Sequence, residues 1–208
     1  MRPVGGLDPS ASARRPSGVA IIDVDGRTLS AAGLRMDDED LISALRGVEL
    51  IAIDSPLSVP DGAAFREVDI EMMHRGYRVL PPSWRWMRAL VERSLGILKS
   101  LDVPAFETHP RSALISSGCR DAGELLDAAG IEHGALPTSK DALDAVVAAV
   151  VAFEIAEGTA IDVRAADGDI YLSAGLCHAR GASARPPRPT SSSRPAHRGT
   201  ADPSPPPS

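Results

Sequence analysis

One segment constrains this chain more than any other. Residues 139–157 read SKDALDAVVAAVVAFEIAE. Leu143, Val146, Val147, Val150 and Val151 recur at i, i+3, i+4, i+7 and i+8, which draws one apolar stripe down an α-helix. Alanine fills most other positions, so the helix can pack closely on both sides. Thr138 and Asp141 stand at the spacing of a capping box at its start. The segment cannot span a membrane, because its apolar run is broken by Asp144 and falls short of the roughly 20 residues required. Such a helix needs a core around it, and a hydrophobic content of 43% in 208 residues is ordinary for a globular protein.

The rest of the chain supplies that core in alternating order. Short apolar runs at residues 3–7, 18–24, 27–35, 50–53 and 104–108 predict strands, the second and third joined by a turn at Asp25-Gly26. Residues 37–46, 64–75, 84–101, 110–117 and 121–129 predict helices, and 168–172 a last short strand. The first predicted helix opens with acids, which suits its dipole. This is an α/β chain. The predicted domain is residues 1–175. Residues 176–208 are rich in Pro, Arg and Ser, with little to bury, and predict a disordered tail. The net charge is −6, but residues 177–208 carry five Arg against one Asp, so the domain is markedly acidic. That balance counts against broad, nonspecific binding to duplex nucleic acid.

The N-terminus has no apolar stretch of a secretory signal. Cys119 and Cys177 form no CxxC pair and predict two reduced thiols in a cytoplasmic protein. The five histidines are scattered, so no zinc signature is present. A serine hydrolase elbow, GxSxG, is also absent.

The acids carry the chemistry. Asp8 ends the first strand and Asp54 ends the fourth. Asp141 and Asp144 lie on one face of the long helix. In an open α/β sheet functional groups gather beyond the carboxyl ends of the strands. Carboxylates converging there repel, and are tolerated with bound cations or shifted pKa values. Hard oxygen donors of this kind suit Mg²⁺ or Mn²⁺, which serve phosphodiester hydrolysis. Each acid also has a structural reading: Asp8 accepting loop N–H groups, Asp54 beginning a turn, Asp141 complementing the helix dipole. Glu107, at the end of the fifth strand, is a further candidate ligand. Arg111 could bind phosphate at the next helix start, and His109 could transfer protons.

A second cluster points to a polyanion. Residues 75–93 interleave Arg75, Arg78, Arg85, Arg88 and Arg93 with Tyr77, Trp84 and Trp86. Guanidinium groups bind phosphates, and aromatic faces stack on unpaired bases. The competing reading is an amphipathic helix with Trp in the core and Arg outside.

The motifs GGLD (5–8), GVAIIDVDG, IAIDSPLSVP (51–60), RVLPPSWRWMR, FETHPRSAL and KDALDAVVAAVVA occur in that order. Together they resemble the family called domain of unknown function 429, described as predicted RNase H-like nucleases. The resemblance implies an RNase H-like five-stranded mixed sheet, the first three strands antiparallel, flanked by helices. It implies that Asp8, Asp54 and Asp144 hold a divalent metal, Mg²⁺ or Mn²⁺. The Asp141-x-x-Asp144 spacing also resembles the paired acids of Holliday-junction resolvases in the same superfamily. The expectation is a metal-dependent nuclease. Its catalytic set is Asp8, Asp54 and Asp144, with Asp141 and Glu107 behind them. Arg78, Trp84, Arg85, Arg88 and Arg111 would meet the nucleic acid. A catalytically inactive module that binds nucleic acid or a protein partner is the alternative. A sugar-kinase-like ATPase lacks its glycine-rich phosphate loop here.

Overall fold

The computed structural model describes residues 1–178. Three strands open the chain, β1 (Pro3–Asp8), β2 (Ser17–Asp23) and β3 (Thr28–Arg35), each antiparallel to the one before. After α1 (Asp38–Leu45) comes β4 (Ile51–Ile53), parallel to β1. Helices α2 (Glu67–His74) and α3 (Arg85–Leu101) lead to β5 (Ala105–Thr108), parallel to β4. Then follow α4 (Pro110–Ser117), α5 (Ala122–Ala129), α6 (Lys140–Glu157), β6 (Ile161–Ala165) and β7 (Gly168–Leu172). The sheet order is β3-β2-β1-β4-β5-β7-β6.

Strands β1 to β5 match the expected mixed sheet in number and sense. The full sheet has seven strands rather than five, because β7 pairs parallel with β5 and β6 closes the edge as its antiparallel partner. Strand β6 was not expected. Its sequence IDVRA buries only Val163, as an edge strand does, and leaves no apolar run to detect.

The two faces carry separate cores. On one, Leu41, Leu45, Ile97 and Leu98 of α1 and α3 cover Leu7, Val19, Ile51 and Ile53. On the other, α6 lies over β1 and β2, with α4 and α5 packed against it and α4 also reaching β7. Every residue from Ala145 to Glu154 is therefore buried, well beyond one stripe. The helix starts one residue later than the expected box: Ser139 is the cap, its hydroxyl accepting from the Ala142 N–H, not Thr138.

Two glycines set how closely α6 approaches. A Cβ on Gly6 would stand 2.1 Å from the Ala145 carbonyl oxygen, and one on Gly18 would stand 1.9 Å from that of Asp141. Both blocking atoms are backbone, so neither can rotate away. Gly6→Ala should push the helix off the sheet and cost about 1–3 kcal/mol, as overpacked cores do. Urea unfolding measures this, and an unchanged midpoint would contradict the packing.

The cysteines correct a second expectation. Cys119 and Cys177, separated by 58 positions, form a disulfide rather than two reduced thiols. It ties the residues just past α4 to those just past β7. Residues 179–208 of the expected tail lie outside the described residues. No helix among the described residues is long and apolar enough to cross a membrane.

Candidate metal centre

The sheet register brings the first two acids together. Leu7 pairs with Ile53 in parallel strands, so the next residues, Asp8 and Asp54, emerge side by side at the carboxyl edge. The Asp54 N–H donates to the Leu7 carbonyl at 2.8 Å and fixes that placement. The third acid comes from α6. Because Gly6 and Gly18 let its first turns rest on β1 and β2, Asp144 arrives over the same edge. One carboxylate oxygen from each of Asp8, Asp54 and Asp144 lies within 4.8 Å of the others, and all three residues are half-buried.

The electrostatics follow from that crowding. Burial raises the Asp8 carboxyl to about 8, with repulsion from Asp54, Asp144 and Asp141 adding to it and Lys140 opposing. Asp54 is raised to about 7, first by burial and then by Asp144. The Lys140 ammonium, exposed at the helix start, is ion-paired with Asp144 one turn on. Three hard carboxylates with too little countercharge are a donor set that fits a divalent cation.

The raised values have a sign that can be tested. Between about pH 4 and pH 8 the unfolded chain has released the Asp8 proton while the folded chain still holds it. Folding stability from this site therefore falls as pH rises through that window. A divalent cation competes with the same protons, so its binding strengthens over that range. The stabilisation by Mn²⁺ in a thermal-shift titration should grow from pH 6 to pH 8.5. A shift that is flat with pH would contradict the assignment.

The other expected acids sit differently. Asp141 is exposed in the first turn of α6 and lines the cavity in front of the triad. Glu107 lines the same cavity but is engaged elsewhere: Arg66 Nη1 donates to its Oε2 at 2.7 Å, and Nη2 to its Oε1 at 2.6 Å. Arg66 also holds Asp69, through Nη2 at 2.7 Å and Nε at 3.1 Å. All three residues are buried. Burial raises the Glu107 carboxyl, and the Arg66 guanidinium pulls against it. Glu107 also accepts the Leu57 N–H at 3.0 Å, which pins the loop after Asp54. Neither Arg66 nor Asp69 was singled out from sequence, since FREVD gives no sign that its arginine is buried. Lys140 carried a readable signal, the i,i+4 spacing to Asp144. His109 holds the N-cap position of α4 without a side-chain cap bond; its Nδ1 lies 2.6 Å from the Ser112 hydroxyl, and burial lowers its pKa.

No protein-family model matches the chain, and no curated protein matches it. Solved structures that resemble it include two of RuvC. One is Thermus thermophilus RuvC in complex with a Holliday junction substrate, with 15% identity and a TM-score of 0.49, covering 76% of this chain and 98% of that one. The other is Thermus thermophilus RuvC alone, with 15% identity and a TM-score of 0.48, covering 76% of this chain and 97% of that one.

The cavity has a volume of about 470 Å³, and its walls are mixed. Asp8, Asp54, Asp141 and Glu107 line it together with the apolar Val79, Leu80, Trp86, Met87 and Leu90. Of the expected nucleic-acid contacts, Arg78, Trp84, Arg85, Arg88 and Arg111 are all exposed, and none lines the cavity. Arg78, Arg85 and Arg111 have no ion-pair partner among the described residues. Arg88 donates to the Ser83 carbonyl at 3.1 Å. Arg93 is structural, paired with Asp38 at 2.5 Å and bonded to the Ser10 loop. The tryptophans are not in the core: Trp84 is 47% exposed and Trp86 46%.

Proposed function

We propose that this chain is a divalent-metal-dependent nuclease built on an RNase H-like fold. The observation that carries the reading is the gathering of Asp8, Asp54 and Asp144, remote in sequence, at the carboxyl edge of one sheet. The motifs GGLD, IDSPL, ETHPR and DALDA support assigning it to the domain of unknown function 429 family. The cytoplasmic location expected from reduced thiols loses that support with the Cys119–Cys177 disulfide, and a tagged chain tests it.

In this proposal the three aspartates hold Mg²⁺ or Mn²⁺, and the acidic set is completed by Asp141 on the cavity wall and Glu107 behind it. A divalent ion there would supply the charge that activates water and steadies the leaving oxygen in phosphodiester hydrolysis. To hold such a cation Asp8 and Asp54 would have to be deprotonated. Glu107, clamped by Arg66, positions the Asp54 loop through the Leu57 N–H. His109, kept neutral by burial, offers a ring nitrogen at the cavity wall for a proton. The exposed Arg78, Arg85, Arg88 and Arg111, with Trp84, meet the strand outside the cavity.

One observation favours a second reading. Lys140 already supplies Asp144 with a cation of the chain's own. A nucleic-acid- or partner-binding module that kept the fold without catalysis would look the same. The two readings part on EDTA. Purified protein should cut single- or double-stranded nucleic acid in Mg²⁺ or Mn²⁺ and stop in EDTA. Binding that survives EDTA, with no cleavage in either metal, would select the binding module.

A further inference from the structure

Resting on the nuclease reading, we infer that the cavity beside the triad is a seat for one unpaired nucleobase, stacked on Trp86, and that the substrate is single-stranded or locally unpaired. Asp8 and Asp54 of the triad and the Trp86 indole line one cavity of about 470 Å³, a volume typical of small-molecule sites. Carboxylates alone ask only for a cation. The apolar part of the lining asks for something flat: Val79, Leu80, Met87 and Leu90 share the cavity with Trp86, which is 46% exposed. Leaving a large aromatic side chain uncovered at a cavity wall costs hydrophobic free energy that an occupant would recover. Trp84 lies beside it, with ring centroids 6.3 Å apart and planes tilted by 53°.

A strand fits both parts of the lining at once. Its base lies on Trp86 and its adjoining phosphate faces the triad. The cavity rim adds Arg15, on the loop between β1 and β2, exposed and without an ion-pair partner among the described residues. Its guanidinium is placed for a neighbouring phosphate. A paired base cannot occupy the seat, because duplex stacking hides both of its faces. The acidic charge of the domain points the same way, since it opposes the long run of phosphate contacts that duplex binding uses.

The test is fluorescence anisotropy with a labelled thymidine octamer and a blunt duplex of the same length, in Ca²⁺ and in EDTA. The full chain is compared with Trp86→Ala, Trp86→Phe and Arg15→Ala, and cleavage in Mn²⁺ is measured in parallel. The octamer should bind at least about 10-fold more tightly than the duplex. Trp86→Ala should weaken octamer binding about 5- to 100-fold, the range for losing a stacked base. Trp86→Phe should restore most of it, and Arg15→Ala should flatten its salt dependence. Unchanged octamer binding in Trp86→Ala, or a preference for the duplex, would overturn the proposal. Trp86-dependent octamer binding in a protein that cuts nothing would support the base seat while removing the nuclease reading.

Discussion

Asp54→Asn should do two opposite things: abolish metal-dependent cleavage, and make the metal-free protein more stable. The first effect is the larger. Removing a group that stabilises developing charge costs about 100- to 1000-fold in rate, and a lost metal ligand should cost at least that. The second follows from the crowding at the sheet edge. Asp54 is held at about 7 and Asp8 at about 8 because each is buried beside other carboxylates. An amide of the same shape removes one of the repelling charges. Gains from relieving such functional strain run to about 1–2 kcal/mol. Asp8→Asn should behave alike. Mn²⁺ at 100 times its dissociation constant should stabilise the wild type by about 2.7 kcal/mol and neither variant. Thermal unfolding with and without Mn²⁺, beside a cleavage assay, separates these effects. A variant that is less stable without metal and still stabilised by Mn²⁺ would contradict the assignment.

Arg66→Met should be among the most damaging single changes outside the triad. The guanidinium is 2% exposed between Asp69, also 2% exposed, and Glu107, 7% exposed. Removing it leaves two buried carboxylates unpaired, which costs about 3–5 kcal/mol. Replacing Arg66, Asp69 and Glu107 together by apolar residues of similar volume should cost far less, since no charge is left stranded. Urea denaturation of the two variants makes the comparison, and a loss below about 1 kcal/mol for Arg66→Met would contradict the geometry. The Asp54 loop should loosen as well, because Glu107 holds the Leu57 N–H.

The sequence made the frame legible where periodicity and local chemistry decide it. The strand that ends in Asp8, the strand that ends in Asp54 and the helix that carries Asp144 could each be read, and so could their meeting at one edge. What escaped was set by remote partners. The predicted helix at 64–75 begins at Glu67 because Asp167, in the β6–β7 turn, accepts the Glu67 and Val68 N–H groups at 2.5 and 3.1 Å. The local cap is unconventional: Arg66 holds the N-cap position, which favours Ser, Thr, Asp or Asn, and Asp69 accepts its N–H at 2.9 Å. The disulfide joins cysteines whose spacing matches no motif. Glu107 reads as a ligand from its strand-end position, and only the fold reveals Arg66 against it. The tryptophans were open to two readings, and their exposure excludes the one that buried them.

The central claim is that Asp8, Asp54 and Asp144 together hold a divalent ion. An anomalous difference map from crystals soaked in millimolar Mn²⁺ at pH 8 tests it most directly. The account predicts a peak between the three carboxylates that disappears in Asp8→Asn. A map with no peak there, or with its Mn²⁺ peak at other residues, would contradict it.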